Sequence, residues 1–213
     1  MTQIASIRKE YKLKSLDEAA AAGNAIKQFD RWWQDAINSE IDEVNAFTLA
    51  TAAADGKPAA RIVLLKGYDE KGFVFFTNYQ SHKGQELATN PQGCMVFFWK
   101  ELERQIRIEG SIEKISAEES DEYYFSRPLS SQVGAWASPQ SSVIKNREVI
   151  EDNVKKYEAQ FAGSSISRPP HWGGYRLQPQ AIEFWQGRPS RLHDRLLFTL
   201  LEKNEWKIER LAP

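Results

Sequence analysis

Arginine and histidine side chains are concentrated in one segment near the end of the sequence, residues 183–195. Arg191, His193 and Arg195 alternate there, and alternating residues of a strand point to the same face. A row of this kind is either a solvated strand face or a binding site for an anion. Trp185 and a glycine stand just before the row, and a surface strand needs neither of them. The segment therefore predicts a site for an aromatic anion.

Two pairs of basic residues occur earlier in the chain. Arg61 and Lys66 lie in one apolar stretch, and their odd separation places them on opposite faces of a regular strand. Either a bulge realigns them or they bind different anions. His82 and Lys83 fall in the first turn of a short predicted helix, where backbone N–H groups and the helix dipole favour a phosphate.

A third group consists of Tyr123, Arg127 and Ser131, which are spaced four residues apart. On one continuous helix they would share a face. Pro128 disfavours helical geometry at Arg127, so it argues against a continuous helix. Each basic group alone is also typical of solvated surface. Taken together, the groups predict two phosphate sites.

Composition narrows the classes of function. The 213 residues include 28 Lys and Arg against 29 Asp and Glu, so the net charge is −1 and a broad nucleic-acid surface is not expected. No apolar run has the length of a signal peptide core or a membrane span. Cys94 is the single cysteine, which excludes an internal disulfide and suits a reducing compartment. We therefore expect a cytoplasmic protein without membrane contact.

Familiar catalytic motifs are missing from the sequence. It has no glycine-rich dinucleotide fingerprint, no phosphate-binding P-loop and no nucleophile elbow. His82, His171 and His193 lack the spacing of metal ligands, so no metal site is predicted. These absences favour a bound organic cofactor as the source of the chemistry.

The pattern of apolar residues predicts a mainly β fold with helices. Helices are predicted at residues 17–40, from Ser81 to about Asn90, and at 117–125, 129–136 and 147–161. Strands are predicted at residues 47–51, 59–66, 73–78, 93–100 and 104–115, and again between 174 and 210 with a turn at 203–204. Asp55 and Gly56 supply a hairpin turn between the first two strands. Strands joined mainly by hairpins predict an antiparallel β-barrel, with a sandwich as the alternative.

Several short motifs are spread over nearly the whole chain. They are Arg61–Lys66, Phe76–Asn78, Glu103–Gln105, Ser126–Pro128, Ser131–Trp136, Gln140–Ser142, His171–Gly174, Glu183–Gly187 and Arg191–Arg195. In register from Arg8 to residues 210–213, they resemble the motifs of the pyridoxine (pyridoxamine) 5′-phosphate oxidase family. The closing motif, Glu183–Gly187 with Arg191–Arg195, is highly specific.

The resemblance implies an FMN-binding split β-barrel, antiparallel, with peripheral α-helices, that forms a homodimer. A mobile N-terminal arm, residues 1–16, would precede a split-barrel domain with helical insertions, residues 17–213. The implied reaction oxidises pyridoxine 5′-phosphate or pyridoxamine 5′-phosphate to pyridoxal 5′-phosphate, with O2 as the electron acceptor and H2O2 as the product. FMN and the substrate would then account for the two phosphates.

The resemblance also implies roles for individual residues. FMN would be bound by Arg61, Ile62, Val63, Leu64, Lys66, Phe76, Thr77, His82, Lys83, Gln105, Gln140, Ser141, Trp185 and Arg195. The substrate would be bound by Arg8, Tyr11, Lys66, Tyr123, Arg127, Ser131, Arg191 and His193. Arg191 and His193 would be the catalytic residues. His82 stands where the family usually has arginine, which bears on the strength of one contact with the FMN phosphate.

Two other functions fit part of the pattern. A split-barrel flavin reductase would use the same FMN pocket but take electrons from a nicotinamide nucleotide. It would not need a binding site for a substrate phosphate at Tyr123, Arg127 and Ser131. A non-catalytic carrier of pyridoxal phosphate or FMN would need no catalytic residues at all.

Overall fold

The computed structural model describes residues 3–6 and 9–213. This part of the chain forms five α-helices, nine strands and three 3₁₀ turns. The helices are α1 (Ala25–Asn38), α2 (His82–Thr89), α3 (Ala117–Ser126), α4 (Leu129–Ala137) and α5 (Glu148–Gln160). The strands are β1 (Ala46–Ala52), β2 (Pro58–Leu64), β3 (Gly67–Asp69), β4 (Gly72–Asn78), β5 (Gln92–Trp99), β6 (Arg104–Lys114), β7 (Trp172–Gln186), β8 (Asp194–Leu200) and β9 (Trp206–Arg210). The 3₁₀ turns are Gln3–Ser6, Pro189–Arg191 and Glu202–Asn204. No helix in these ranges combines the length and the apolar character needed to cross a membrane.

All nine strands belong to one antiparallel sheet. Its order is β2-β1-β5-β6-β7-β4-β3, and β8 and β9 extend from β7. The long strand β7 serves two partners, because its first part pairs with β4 and its last part pairs with β8. The sheet curls so that Lys66, just beyond β2, donates its backbone N–H to the carbonyl of Val74 on β4. The antiparallel split barrel is therefore confirmed, and the sandwich alternative is wrong.

Helix α1 begins later than the sequence pattern predicts. The prediction was 17–40, whereas the helix covers Ala25–Asn38. The side chain of Asn24 accepts a hydrogen bond from the backbone N–H of Lys27 at 3.0 Å, which caps the helix at this point. Residues 18–20 form a separate turn. Alanine has high helix propensity, so the alanine-rich stretch before Asn24 extended the prediction too far.

The main core lies between α1 and the concave side of the sheet. Phe29 of α1 is fully buried. Its ring meets those of Tyr68, Phe73 and Phe97, with centroids 4.9, 4.8 and 5.6 Å away. A second, smaller core is formed by Tyr124, Val133, Ala135, Ile166 and Trp172. This second core holds α3 and α4 against the start of β7.

Helices α3 and α4 are separate, as the proline predicts. Arg127 follows α3 with extended backbone angles, φ −76° and ψ 151°, and α4 begins after Pro128. The hydroxyl of Tyr124 donates to the carbonyl of Gln132 at 3.0 Å, which ties the two helices together. Because the backbone is extended at this break, the side chain of Arg127 does not lie on the same helical face as that of Tyr123.

The predicted strand face of Arg191, His193 and Arg195 is wrong. Strand β7 ends at Gln186 and β8 begins at Asp194, so only Arg195 lies in a strand. Between the strands, Ser190 and Arg191 have positive φ angles of 58° and 63°. Pro189 has no N–H to donate to a ladder, so the chain turns out of the sheet here. Arg191 and His193 therefore lie on the β7–β8 connection.

Candidate active site

Four cationic side chains meet in a cleft of about 320 Å³, which we call the cationic cleft. Its lining consists of Arg61, Ile62, Val63, Leu64, Lys66, Phe76, Thr77, Lys83, Tyr123, Arg127, Gln140 and Trp172. Every one of these except Trp172 belongs to the predicted cofactor or substrate residues. Within the described part of the chain, the lining includes no acidic residue. Such a donor set suits a phosphorylated ligand.

The end of strand β2 explains how Arg61 and Lys66 reach the same cleft. Arg61 lies within β2, whereas the strand ends at Leu64 and Lys66 follows it. The alternation rule therefore does not apply to Lys66, and no bulge is needed. The ammonium group of Lys66 lies 5.9 Å from the centroid of the Tyr123 ring.

Lys83 holds a small polar network at the start of α2. Its Nζ donates to Thr77 Oγ1 at 3.1 Å, Ser81 Oγ at 3.3 Å and Gln140 Oε1 at 3.0 Å. Ser81 is the N-cap of α2, so the ammonium group lies beside the positive end of the helix dipole. Burial, followed by repulsion from Arg61, lowers the pKa of Lys83. An anion bound here would favour the charged form of Lys83 and so oppose both effects.

Arg127 lines the cleft and has an unused donor. Its NH1 atom is buried, and among the described residues it has no hydrogen-bond partner. The guanidinium carbon lies 4.6 Å from the centroid of the Trp172 ring. Trp172 stacks on Phe76, which stacks in turn on Tyr123 with centroids 4.0 Å apart. A buried guanidinium N–H without a partner is costly, so this group is ready for an acidic ligand.

A second cleft, which we call the C-terminal cleft, surrounds the β7–β8 connection. It has a volume of about 480 Å³ and is lined by Lys9, Glu10, Tyr11, Arg188, Ser190, Arg191 and His193. Of these, Tyr11, Arg191 and His193 were predicted. A Cβ on Gly187 would lie only 2.7 Å from the Tyr11 ring, so glycine is required for this close approach.

His193 is held by its neighbours in the C-terminal cleft. Its ring lies 4.5 Å from that of Trp185, centroid to centroid. Its Nδ1 accepts a hydrogen bond from the backbone N–H of Arg188 at 3.1 Å. Burial, followed by the positive charge of Arg191, lowers the pKa of His193. The imidazole therefore stays neutral to lower pH than an ordinary histidine.

Three predicted cofactor residues form a row across adjacent strands. Gln105 on β6 is paired with Trp185 on β7, which is paired with Arg195 on β8. Arg195 donates to the buried carboxylate of Glu183 at 2.7 Å and to the carbonyl of Ala212 at 2.8 Å. The row lines neither cleft within one chain.

Three other predicted residues, His82, Ser131 and Ser141, also lie outside both clefts. His82 is 65% exposed, and its Nε2 lies 3.5 Å from Glu86 Oε1, so its phosphate contact stays a prediction. Ser131 lies in the first turn of α4, and Ser141 lies on the exposed loop that follows α4. Arg8 lies outside the described residues. Among the described residues, the two clefts share no lining residue, although residues of both were predicted to contact one substrate.

Two residues in or beside the cationic cleft, Trp172 and Glu86, were not predicted from the sequence. Trp172 lies in the motif His171–Gly174, but its place in the aromatic stack depends on how α3 packs on β7. Glu86 reads as an ordinary polar residue of a short helix, yet it is 4% exposed and bound to Arg61. The signal in the sequence was its position three residues after Lys83, because residues three apart on a helix are neighbours.

Two family models match the chain. Residues 33–161 match the model described as pyridoxamine 5′-phosphate oxidase. Residues 172–213 match the model described as pyridoxine 5′-phosphate oxidase C-terminal dimerisation region. The first match alone covers more than half of the chain, and the second covers the β7–β8 connection.

Individual proteins agree with the family models. The pyridoxine/pyridoxamine 5′-phosphate oxidases of Cupriavidus pinatubonensis and Paraburkholderia phymatum are 55% and 58% identical over 213 residues, which is 100% of each chain. The structure of PhzG from Burkholderia lata 383 in complex with tetrahydrophenazine-1-carboxylic acid is 30% identical, with a TM-score of 0.87 over 94% of this chain and 99% of PhzG. An FMN-binding, pyridoxamine 5′-phosphate oxidase-related protein of Nostoc punctiforme shares the fold at 18% identity, with a TM-score of 0.69 over 94% and 100% of the two chains. The chain therefore belongs to the pyridoxamine 5′-phosphate oxidase family of oxidoreductases.

Proposed function

We propose that this protein is an FMN-dependent oxidase of phosphorylated B6 vitamers. It converts pyridoxine 5′-phosphate or pyridoxamine 5′-phosphate to pyridoxal 5′-phosphate, passes the electrons to O2 and releases H2O2. The observation that carries the proposal is the unpartnered, buried NH1 of Arg127 in a cleft with three other cations. Family membership and the names of the full-length relatives support the choice of substrate.

The residues of the cationic cleft fit FMN. Arg61 and Lys83 would hold its phosphate, with Thr77 and Gln140 supplying polar contacts beside Lys83. The apolar side chains of β2 offer a surface for the flavin ring. When bound, FMN supplies the two-electron acceptor that the side chains lack.

A second phosphate is assigned to the substrate. Arg127, Lys66 and Tyr123 line the same cleft, and the buried NH1 of Arg127 has no hydrogen-bond partner among the described residues. The phosphate is remote from the carbon that is oxidised, so its binding energy serves to orient the pyridine ring. A binding site for this phosphate distinguishes the proposed oxidase from a flavin reductase, because the reductase would not need such a site.

We infer that each active site is completed by a second copy of the chain. The predicted substrate residues are divided between the cationic cleft and the C-terminal cleft, and the β7–β8 connection, which supplies Arg191 and His193 to the C-terminal cleft, lies in the matched dimerisation region. In the proposed homodimer, one protomer supplies Arg127, and its partner supplies Arg191 and His193. A closed two-fold assembly gives two equal sites of this kind.

Arg191 and His193 would polarise the substrate. The acceptor nitrogen of His193 is occupied by the N–H of Arg188, so its Nε2–H is available as a donor. Arg191, exposed on the connection, would add a positive charge that assists proton removal from the hydroxymethyl or aminomethyl group that is oxidised. The half-buried free thiol of Cys94 suits a reducing compartment, so the cytoplasm is the proposed location.

Anaerobic mixing tests the proposal. Pyridoxine 5′-phosphate and pyridoxamine 5′-phosphate should each bleach the flavin absorbance, and air should restore it with formation of H2O2. Unphosphorylated pyridoxine at the same concentration is the matched control and should react far more slowly. Bleaching by a nicotinamide nucleotide alone would establish the flavin reductase instead. Flavin that neither a vitamer nor a nicotinamide nucleotide reduces would establish the carrier.

A further inference from the structure

A buried carboxylate lies directly behind the cationic cleft. Glu86 of α2 is 4% exposed and is not among the residues that line the cleft. Its Oε2 accepts hydrogen bonds from Thr51 Oγ1 at 2.6 Å and from an NH2 proton of Arg61 at 3.1 Å. His82 approaches the other oxygen, Oε1. Glu86 therefore touches a residue of the cleft without touching the cleft itself.

Arg61 is fixed from two sides by this arrangement. Its NH1 donates to Thr51 Oγ1 and to the carbonyl of Leu49 at 3.3 Å, both on β1. Its NH2 donates to Glu86. A guanidinium has five N–H donors, and these three bonds leave two for a ligand. The side chain is thus ordered before any ligand arrives, so it loses little rotamer freedom on binding.

Helix α2 links the two cations of the site. It carries Lys83 on the cleft side and Glu86 three residues later, so one helix sets the position of both Lys83 and Arg61. Burial raises the pKa of Glu86, but hydrogen bonds from Thr51 and Arg61 outweigh it and leave the pKa lowered. Glu86 is therefore an anion close to a site for anions.

These facts give two opposite expectations for removal of the charge. As a bystander, the carboxylate would repel a bound phosphate, and its neutralisation would tighten binding. As a clamp, it would keep Arg61 oriented, and its neutralisation would loosen binding. The buried, bonded geometry favours the clamp.

We propose that Glu86, together with Thr51, is a positioning residue that orients Arg61 toward the phosphate of FMN. This inference rests on the proposed function, because it takes FMN as the ligand of the cationic cleft. Glu86 acts through Arg61 and does not itself contact the cofactor.

The proposal is tested by comparing the affinity of the protein for FMN with its affinity for riboflavin, since the difference between them reports binding of the phosphate. Apo protein is titrated with FMN and with riboflavin, which lacks the phosphate, and binding is followed by quenching of flavin fluorescence. Glu86→Gln should weaken FMN binding about threefold to tenfold and leave riboflavin binding unchanged, because a neutral amide holds Arg61 less firmly. Thr51→Val should weaken FMN binding in the same way. It changes no charge, so electrostatic repulsion cannot account for its effect.

Two controls make the result specific. Glu205→Gln makes the same charge change at an exposed position between β8 and β9, and should alter neither affinity. In an Arg61→Ala background, Glu86→Gln should no longer weaken FMN binding, since the clamp then has nothing to hold. If Glu86→Gln does not fold, the ratio of FMN affinity to riboflavin affinity in Thr51→Val decides whether the clamp exists.

The possible failures are distinguishable. Tighter or unchanged FMN binding in both Glu86→Gln and Thr51→Val, with a wild type that prefers FMN to riboflavin, would overturn the clamp alone. A wild type that binds FMN no better than riboflavin would overturn the clamp and the proposed cofactor site together.

Discussion

The Nδ1 atom of His193 accepts a hydrogen bond from the backbone N–H of Arg188 at 3.1 Å. In a neutral imidazole one nitrogen accepts and the other carries the proton. This bond therefore leaves Nε2–H as a donor. While the ring is neutral, His193 donates a hydrogen bond rather than taking a proton from the substrate.

The first prediction concerns the titration of His193. Burial and then the charge of Arg191 lower its pKa, so we expect it to titrate below about 6.5, the ordinary value for histidine. Protonation of Nδ1 breaks the bond to Arg188, so formation of pyridoxal 5′-phosphate should decline as pH falls through this lowered pKa. Imidazole nitrogen NMR can follow the ring, because the chain has only 3 histidines.

Arg191→Ala provides the control for that titration. Removal of the neighbouring positive charge should move the pKa of His193 upward. An unchanged or lower value in the variant would contradict the stated cause of the shift.

The second prediction concerns Arg127→Ala. Loss of a charge-assisted contact with the substrate phosphate should cost about 1.5 to 3 kcal/mol, roughly tenfold to a hundredfold in kcat/KM. FMN content should stay normal. Arg127→Lys should restore part of the loss, since lysine keeps the charge but not the planar fork. An equal loss with unphosphorylated pyridoxine would mean that Arg127 does not read the phosphate.

The third prediction concerns the hold of Glu103 on the N-terminal segment. Glu103 is 3% exposed, and its Oε2 accepts hydrogen bonds from the backbone N–H groups of Lys12 and Leu13 at 2.8 and 3.1 Å. These bonds place Tyr11 beside Trp185, with ring centroids 5.8 Å apart. Glu103→Gln should loosen the segment and raise KM about threefold to tenfold with little change in FMN content.

Limited proteolysis provides an independent readout for Glu103→Gln. The variant should be cut within residues 9–16 faster than the wild type, because its segment opens more often. Equal cleavage rates would show that other contacts hold the segment. The mobile arm at residues 1–16 stays a prediction that this comparison addresses.

Local patterns were sufficient to single out the four cations of the cationic cleft, whereas most of its other lining residues were predicted only from the family resemblance. Residues Arg61–Leu64 come from one strand and Lys83 from a capped helix, and both are positioned by rules that act over a few residues. Pro128 likewise predicted the break after α3. The predicted start of α1 was wrong because it followed the helix propensity of the alanine residues before Asn24. The helix begins only after Asn24, whose side chain caps it.

The C-terminal cleft was less predictable for a physical reason. Alternation assumes a regular strand, and two positive φ angles at Ser190 and Arg191 remove that regularity. The clamp on Arg61 joins β1, β2 and α2, so it follows from tertiary packing rather than from spacing. The division of substrate residues between two clefts also cannot be read from one chain's sequence.

The two clefts are proposed to form one oxidase site across a homodimer, and a hybrid dimer tests this claim most directly. Arg127→Ala and Arg191→Ala chains with different tags are co-expressed, and the heterodimer is purified. One of its two sites then receives intact residues from both protomers, so it should form pyridoxal 5′-phosphate at about half the wild-type rate. At limiting substrate, both mutant homodimers should be far slower than this heterodimer, and the Arg127→Ala homodimer should be slower than the wild type by roughly tenfold to a hundredfold. A heterodimer as inactive as its parents would contradict the claim.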